Sequence, residues 1–142
     1  MEQNLKNHVR VVPVFHFFVL PMLMVNFVWA AIRAAHFFNA GTVIYALTAA
    51  ALLLAALYGR MFALTVQNRV IRLEMRLRMQ QLLPADLQPR INQFTLAQLI
   101  ALRFASDAEL PQLARKVLDE NLTNQKQIKL LVRDWQGDFL RA

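Results

Sequence analysis

Residues 11–32 read VVPVFHFFVLPMLMVNFVWAAI, and residues 34–59 read AAHFFNAGTVIYALTAAALLLAALYG. Neither stretch holds an Asp, Glu, Lys or Arg, over 22 and 26 residues, and Arg33 alone separates them. About 20 apolar residues wound as a helix cross the hydrocarbon core of a bilayer, so each run is long enough to cross once. The sequence therefore predicts an all-α membrane protein: a two-helix transmembrane hairpin followed by a small cytoplasmic helical domain.

The two runs differ in strength. The first holds thirteen Val, Ile, Leu or Phe residues. Together they favour insertion by up to about 4–8 kcal/mol, which His16 and Asn26 cannot cancel. Pro13 falls in the first turn, Pro21 falls inside and predicts a kink, and Trp29 takes an interfacial place near the far end. Between Val43 and Leu57 the second run has only seven Val, Ile or Leu residues, and Ala fills much of the rest. Such a helix gains less from lipid and more from packing against another helix. Ala51, Ala55 and Gly59 recur at four-residue spacing, with Ala46 and Ala50 as a second small pair. That ridge predicts helix packing, either inside the hairpin or against another protein. Asn26 predicts a hydrogen bond between helices.

Charge sets the orientation. Lys6 and Arg10 precede the first span, and Arg60, Arg69, Arg72, Arg76 and Arg78 follow the second, against Arg33 alone beside the connection. The excess of basic residues on the cytoplasmic side places both termini in the cytoplasm. The predicted segments are a cytoplasmic N-terminal segment at 1–10, spans at 11–33 and 42–60, and a short external loop at 34–41. A basic juxtamembrane helix at 61–83 and a helical cytoplasmic domain at 84–142 complete the chain. The first run is too long for a signal h-region and no small-x-small cleavage site follows it, so it reads as retained.

Of the net charge of +7, residues 1–68 carry +3 and residues 69–142 carry +4. Arg60, Arg69, Arg72 and Arg76, beside a span, predict contact with anionic lipid headgroups rather than nucleic acid. The chain has no Cys, which excludes disulfides, thiolate catalysis and zinc ribbons.

After the second span, apolar and charged residues alternate from Ile71 to Met79, a strand signature built from strong helix formers. On a helix, Val66, Val70, Leu73 and Leu77 form one apolar stripe, Ile71, Met75 and Met79 a second, and Arg69, Arg72 and Arg76 a basic face. A helix leaving the membrane fits the composition better. Pro84 and Pro89 bracket a turn. Thr95 with Gln98 makes a capping box, with Phe94 and Leu99 as its staple, ahead of a buried face of Leu96, Leu99, Ile100 and Phe104. Ser106 with Glu109 makes a second box, opening a helix through Leu110, Leu113, Val117 and Leu118. Thr123 is expected to cap a last helix with a face of Ile128, Leu131, Val132, Trp135 and Phe139. Helices this short need mutual packing.

Asn7-His8 with Arg10, Phe15-His16-Phe17 before Leu20-Pro21, the runs Arg69 to Pro84 and Gln98 to Ala114, and Ile128-Lys129 through Trp135 and Asp138 carry a resemblance. The chain resembles a family of small uncharacterised bacterial inner-membrane proteins. The resemblance implies two spans and a cytoplasmic helical tail, and assigns no functional residue.

No catalytic group, metal site or cofactor is expected. His16 and His36 stand about 30 Å apart along one helix, so one chain cannot bring both to one metal. His16, between Phe15 and Phe17, is the single candidate axial ligand for a haem or chlorin. Asp134 and Asp138, beside Lys129, Arg133 and Arg141, read as surface pairing. Ser106 reads as a cap, and the three glycines, Gly41, Gly59 and Gly137, form no phosphate loop. The expected role is a non-catalytic accessory or scaffold subunit of a larger inner-membrane complex, of respiratory or photosynthetic type, whose partners are the bilayer and other membrane subunits. A homo-oligomeric membrane organiser or small channel is the alternative, and a His-ligated pigment-binding subunit a third reading.

Overall fold

The computed structural model describes residues 12–137. Lys6, His8, Arg10, Asp138, Phe139 and Arg141 lie outside the described residues, and so does the predicted segment 1–10. Two compact units divide between Leu64 and Thr65. The described residues are helical, apart from turns and one isolated bridge.

In the first unit a π-helical stretch, Val14–Val19, runs directly into α1, Leu20–His36. Pro21 has no N–H to give to the carbonyl four residues back. The N–H of Leu20 reaches back five residues to the carbonyl of Phe15. The disturbance expected at Pro21 takes the form of this widened turn. α2 then runs from Ala40 to Leu82, 43 residues without a break.

The loop expected over 34–41 contracts to residues 37–39. Ala34 and Ala35 favour helix, and the Phe37 N–H still donates to the carbonyl of Arg33 at 2.9 Å. Asn39 then caps α2. Its Oδ1 accepts from the Thr42 N–H at 3.0 Å, and its own N–H donates to Thr42 Oγ1 at 3.2 Å. Two otherwise orphaned donors are satisfied reciprocally, a device worth about 1 kcal/mol at a helix start.

Val14–His36 and α2 are each long and apolar enough to cross a membrane. Only 6% of the apolar window of the first helix and 11% of that of the second is buried within the chain. Ala30, Ala49 and Leu53 supply that buried part. Phe17, Phe18, Val25, Ile32, Ile44 and Leu47 all turn outward.

The second unit begins with the remainder of α2. The alternation from Ile71 to Met79 is helical. Ile71, Met75 and Met79 stack at four-residue spacing and are buried. Gln88 closes the helix end, its Nε2 donating to the carbonyls of Gln80 at 2.8 Å and Leu83 at 2.7 Å. A 3₁₀ turn, Gln88–Gln93, leads to α3, Leu96–Leu102, followed by α4, Leu110–Asp119, and α5, Gln125–Leu131. α3 packs chiefly against α5, and also against α4. One core joins Met75, Met79, Leu87, Leu99, Leu102, Leu110, Val117 and Ile128. Phe94 and Leu99, the expected staple, both lie in it.

Three local expectations change. The box at Ser106 forms by half: the Glu109 N–H reaches Ser106 Oγ at 3.4 Å, but the Glu109 side chain turns to another segment, and α4 starts only at Leu110. The last helix is capped by Asn124, not Thr123; Asn124 Oδ1 accepts from the Lys126 N–H at 2.9 Å. That helix also ends at Leu131, with Val132 extended. Trp135 therefore leaves the expected helical face. It pairs in an isolated antiparallel bridge with Ala105, and its ring stacks on Phe104 at 4.4 Å. Stacking the half-buried Trp135 ring on the buried Phe104 ring offsets the loss of one more turn of exposed helix.

Candidate functional site

Within the first unit, Asn26 meets a specific partner. The Tyr45 hydroxyl donates to Asn26 Oδ1 at 2.6 Å, tying α1 to α2. The Trp29 ring meets Tyr45 edge-on at 5.9 Å, and the Arg33 guanidinium lies over Trp29 at 5.2 Å. Trp29, Ala30, Arg33, Gly41, Thr42 and Tyr45 line a cavity of about 540 Å³ at the turn end of the hairpin. Thr42 and Asn39 are committed to the cap described above. Arg33 is the cation left to meet a polar group there.

The small-residue ridge does not form the seam of this hairpin. Ala49 and Leu53 are buried, and Ala46, Ala50 and Ala56 are half-buried, whereas Ala51, Ala55 and Gly59 are exposed. At 100° per residue, Ala51 and Ala55 each sit about 160° around the helix from the buried Leu53, and Gly59 about 120°. A Cβ added at Gly59 would meet nothing within 4 Å. Of the two uses predicted for this ridge, packing inside the hairpin is therefore met by Ala46, Ala49, Ala50, Leu53 and Ala56 instead. Ala51, Ala55 and Gly59 are left facing outward.

His16 is half-buried, and its Nδ1 lies 2.9 Å from the carbonyl of Val12. A carbonyl only accepts, so Nδ1 carries the hydrogen of this bond. The Phe15 ring stands edge-on to it at 5.2 Å. His36 is exposed at the far end of α1. Among the described residues no three His, Asp or Glu side chains gather as a metal site would require.

The basic residues after the second apolar run separate into two kinds. Arg69 and Arg72 are exposed, and Arg60 and Arg76 half-buried. Arg78 behaves differently. Its Nη2 donates to the carbonyl of Ala105 at 2.7 Å and its Nη1 to that of Arg103 at 3.3 Å, while Nε donates to Asp107 Oδ1 at 2.8 Å. It binds the α3–α4 connection to α2. No local signal in the sequence marks this role, since its partners are 25 to 29 residues away.

Glu109 is a second clamp. Its carboxylate accepts from the backbone N–H of Arg133 at 2.9 Å and of Asp134 at 3.1 Å, and the Ser106 N–H donates to the carbonyl of Asp134 at 3.1 Å. These bonds hold the chain after α5 against the start of α4. A cavity of about 600 Å³ beside it is lined by Ser106, Gln112, Leu113, Lys116 and Arg133. Both carboxylate oxygens already serve backbone donors, so Glu109 is placed as a structural anchor rather than as an acid or base. Asp134 is not helical, and Asp138, the other member of the expected pair, lies outside the described residues.

Neither a curated protein nor a solved structure matches the chain. A family model, the family of unknown function DUF6526, matches residues 1–142. The match covers every segment on which the resemblance rests, from Asn7-His8 to Asp138. The chain belongs to this family over its whole length.

Proposed function

We propose that the chain is a membrane-anchored, non-catalytic accessory or scaffold subunit of a larger assembly in a bacterial inner membrane, of respiratory or photosynthetic type. The observation that carries this reading is the outward apolar surface of Val14–His36 and the first half of α2. Phe17, Phe18, Val25, Ile44, Leu47 and Leu54 are all exposed in the isolated chain. Apolar surface left in water costs about 25 cal/mol per Å², and a soluble monomer rarely exposes an apolar patch beyond a few hundred Å². A core helix of a soluble protein would bury this surface. Lipid and neighbouring helices are the environments that fit it.

In that frame both termini are cytoplasmic, by the asymmetry of Lys and Arg around the spans. Arg60, Arg69, Arg72 and Arg76 meet anionic headgroups at the cytoplasmic face. The outward ridge of Ala51, Ala55 and Gly59 allows close approach of a helix from another subunit. Asn26 is spent on Tyr45 inside the hairpin. The test is extraction of native membranes in mild detergent, followed by native electrophoresis and identification of co-migrating chains. The reading predicts migration with other membrane subunits. A stable monomer with no companion contradicts it. Self-association into a homo-oligomeric organiser or small channel is the second reading, favoured by the same outward ridge; a ladder containing this chain alone identifies it.

A further inference from the structure

Between Thr65 and Leu82, α2 carries two apolar stripes with different fates. Ile71, Met75 and Met79 enter the core of the second unit. Val66, Val70, Leu73 and Leu77 stay between 46% and 61% exposed. We infer that this second stripe is the seam of a parallel two-stranded coiled coil between two copies of the chain.

Val66, Val70, Leu73 and Leu77 step by four, three and four residues, the alternation of a heptad seam. Val70 and Leu77 take the a positions and Val66 and Leu73 the d positions. At the centre, Val at a with Leu at d is the combination that favours two strands. The same register puts Ile71 at b, Met75 at f and Met79 at c. The core stripe and the seam thus lie on opposite sides of one helix, and neither contact obstructs the other.

Charge fixes the occupant and its direction. Arg69 falls at g and Glu74 at e, and both are exposed. In a parallel pair a g residue faces the e residue five positions on in the other strand. Arg69 of each copy therefore meets the partner's Glu74, twice by symmetry. An antiparallel pair would set g against g, bringing Arg69 toward the partner's Arg76. The surface is complementary to itself in the parallel sense and repulsive in the other. The inference rests on the membrane reading only for the shared direction of the two helices and their confinement. From Val66 to Gln80 the seam is only about 22 Å long, short for association in water. Anchoring both copies in one bilayer raises their effective concentration and offsets that shortness.

The chain has no Cys, so single substitutions report single positions. In native membranes holding the full-length protein, Val70→Cys, Leu73→Cys and Leu77→Cys are oxidised with copper phenanthroline beside Arg72→Cys, an exposed position off the seam. Disulfide dimers should exceed those of Arg72→Cys by at least about fivefold, because a and d side chains face their own copies. In the Leu73→Cys background, Glu74→Arg should lower the dimer about threefold, the scale of exposed ion pairs, and Arg69→Glu added to it should restore the dimer. Equal crosslinking at Arg72→Cys, no restoration by the charge swap, or no seam dimer overturns the inference, and lipid or a different protein then covers the stripe. Carbonate washing of the same membranes separates the two readings. Protein retained without seam dimers overturns the dimer and leaves the scaffold reading standing. Protein released yet still crosslinked at the seam does the reverse.

Discussion

Arg78 at the end of α2 reaches Asp107 at 2.7 Å, and the same guanidinium nitrogen donates to the carbonyl of Ala105 at 2.7 Å. The two contacts differ in worth. The Asp107 side chain is 65% exposed, and exposed ion pairs contribute about 0–1 kcal/mol. The bond to the Ala105 carbonyl is partly buried and charge-assisted, worth about 1.5–3 kcal/mol, and the longer one to the Arg103 carbonyl, at 3.3 Å, adds little. Arg78→Ala should destabilise the second unit by about 2–3 kcal/mol and Asp107→Ala by less than about 1 kcal/mol. Urea unfolding of the detergent-solubilised protein, followed by Trp135 fluorescence in a Trp29→Phe background, measures both. Equal losses would mean that the ion pair dominates.

Gln98 is buried and serves two elements. Its Oε1 accepts from the Thr95 N–H at 2.8 Å, and its Nε2 donates to the carbonyl of Leu122 at 2.9 Å. Gln98→Ala leaves the Leu122 carbonyl and a helix-start donor without partners, and should cost about 2–3 kcal/mol. Thr95→Ala removes the cap alone and should cost about 1 kcal/mol. The same unfolding assay ranks them, and a Thr95→Ala loss as large as that of Gln98→Ala would contradict the bridging role.

In the hairpin, Ala49 and Gly59 should respond oppositely to Leu. Ala49 is 1% exposed, so Ala49→Leu overpacks the seam and should cost about 1–3 kcal/mol. Gly59→Leu meets open space and should leave the hairpin intact. Far-UV circular dichroism during titration with denaturing detergent reads the first effect. If Ala51, Ala55 and Gly59 pack against another subunit, Gly59→Leu should instead lose the companions on a native gel. Destabilisation of the hairpin by Gly59→Leu would place the seam elsewhere.

Tyr45→Phe and Asn26→Leu remove the two halves of one bond across the hairpin. Interhelical hydrogen bonds in membranes average about 0.6 kcal/mol, with a ceiling near 1.7. Each variant should lose an amount of that order, and the double variant no more than either alone. Additive losses would show that the two side chains act separately.

What the sequence disclosed depended on the range of the interaction. The two uncharged runs, the Thr95–Gln98 box and the stripe Ile71, Met75, Met79 are written within a few residues, and each is recovered as a helix, a cap and a core face. The fate of Arg78 was not legible, because nothing near it names Ala105 or Asp107. Glu109 misled for the same reason. Its spacing from Ser106 suits a capping box, but the N–H groups of Arg133 and Asp134 lie closer in space. Asn124 displaced Thr123 as a cap because adjacent residues of similar chemistry compete and backbone geometry decides. The small-residue ridge showed that two helices could approach, yet periodicity alone does not say which face of an Ala-rich helix turns inward.

If lipid is the solvent of the first apolar stretches and the tail lies on the cytoplasmic side, the turn of the hairpin and the tail must differ in access from outside the cell. Single substitutions Phe38→Cys, in the connection between α1 and α2, and Gln127→Cys, on α5, test it with a membrane-impermeant maleimide on intact spheroplasts. Both positions are exposed in the chain. Phe38→Cys should be labelled in intact cells and Gln127→Cys only after lysis. Labelling of Gln127→Cys from outside, or recovery of both variants in the soluble fraction after lysis, would contradict it.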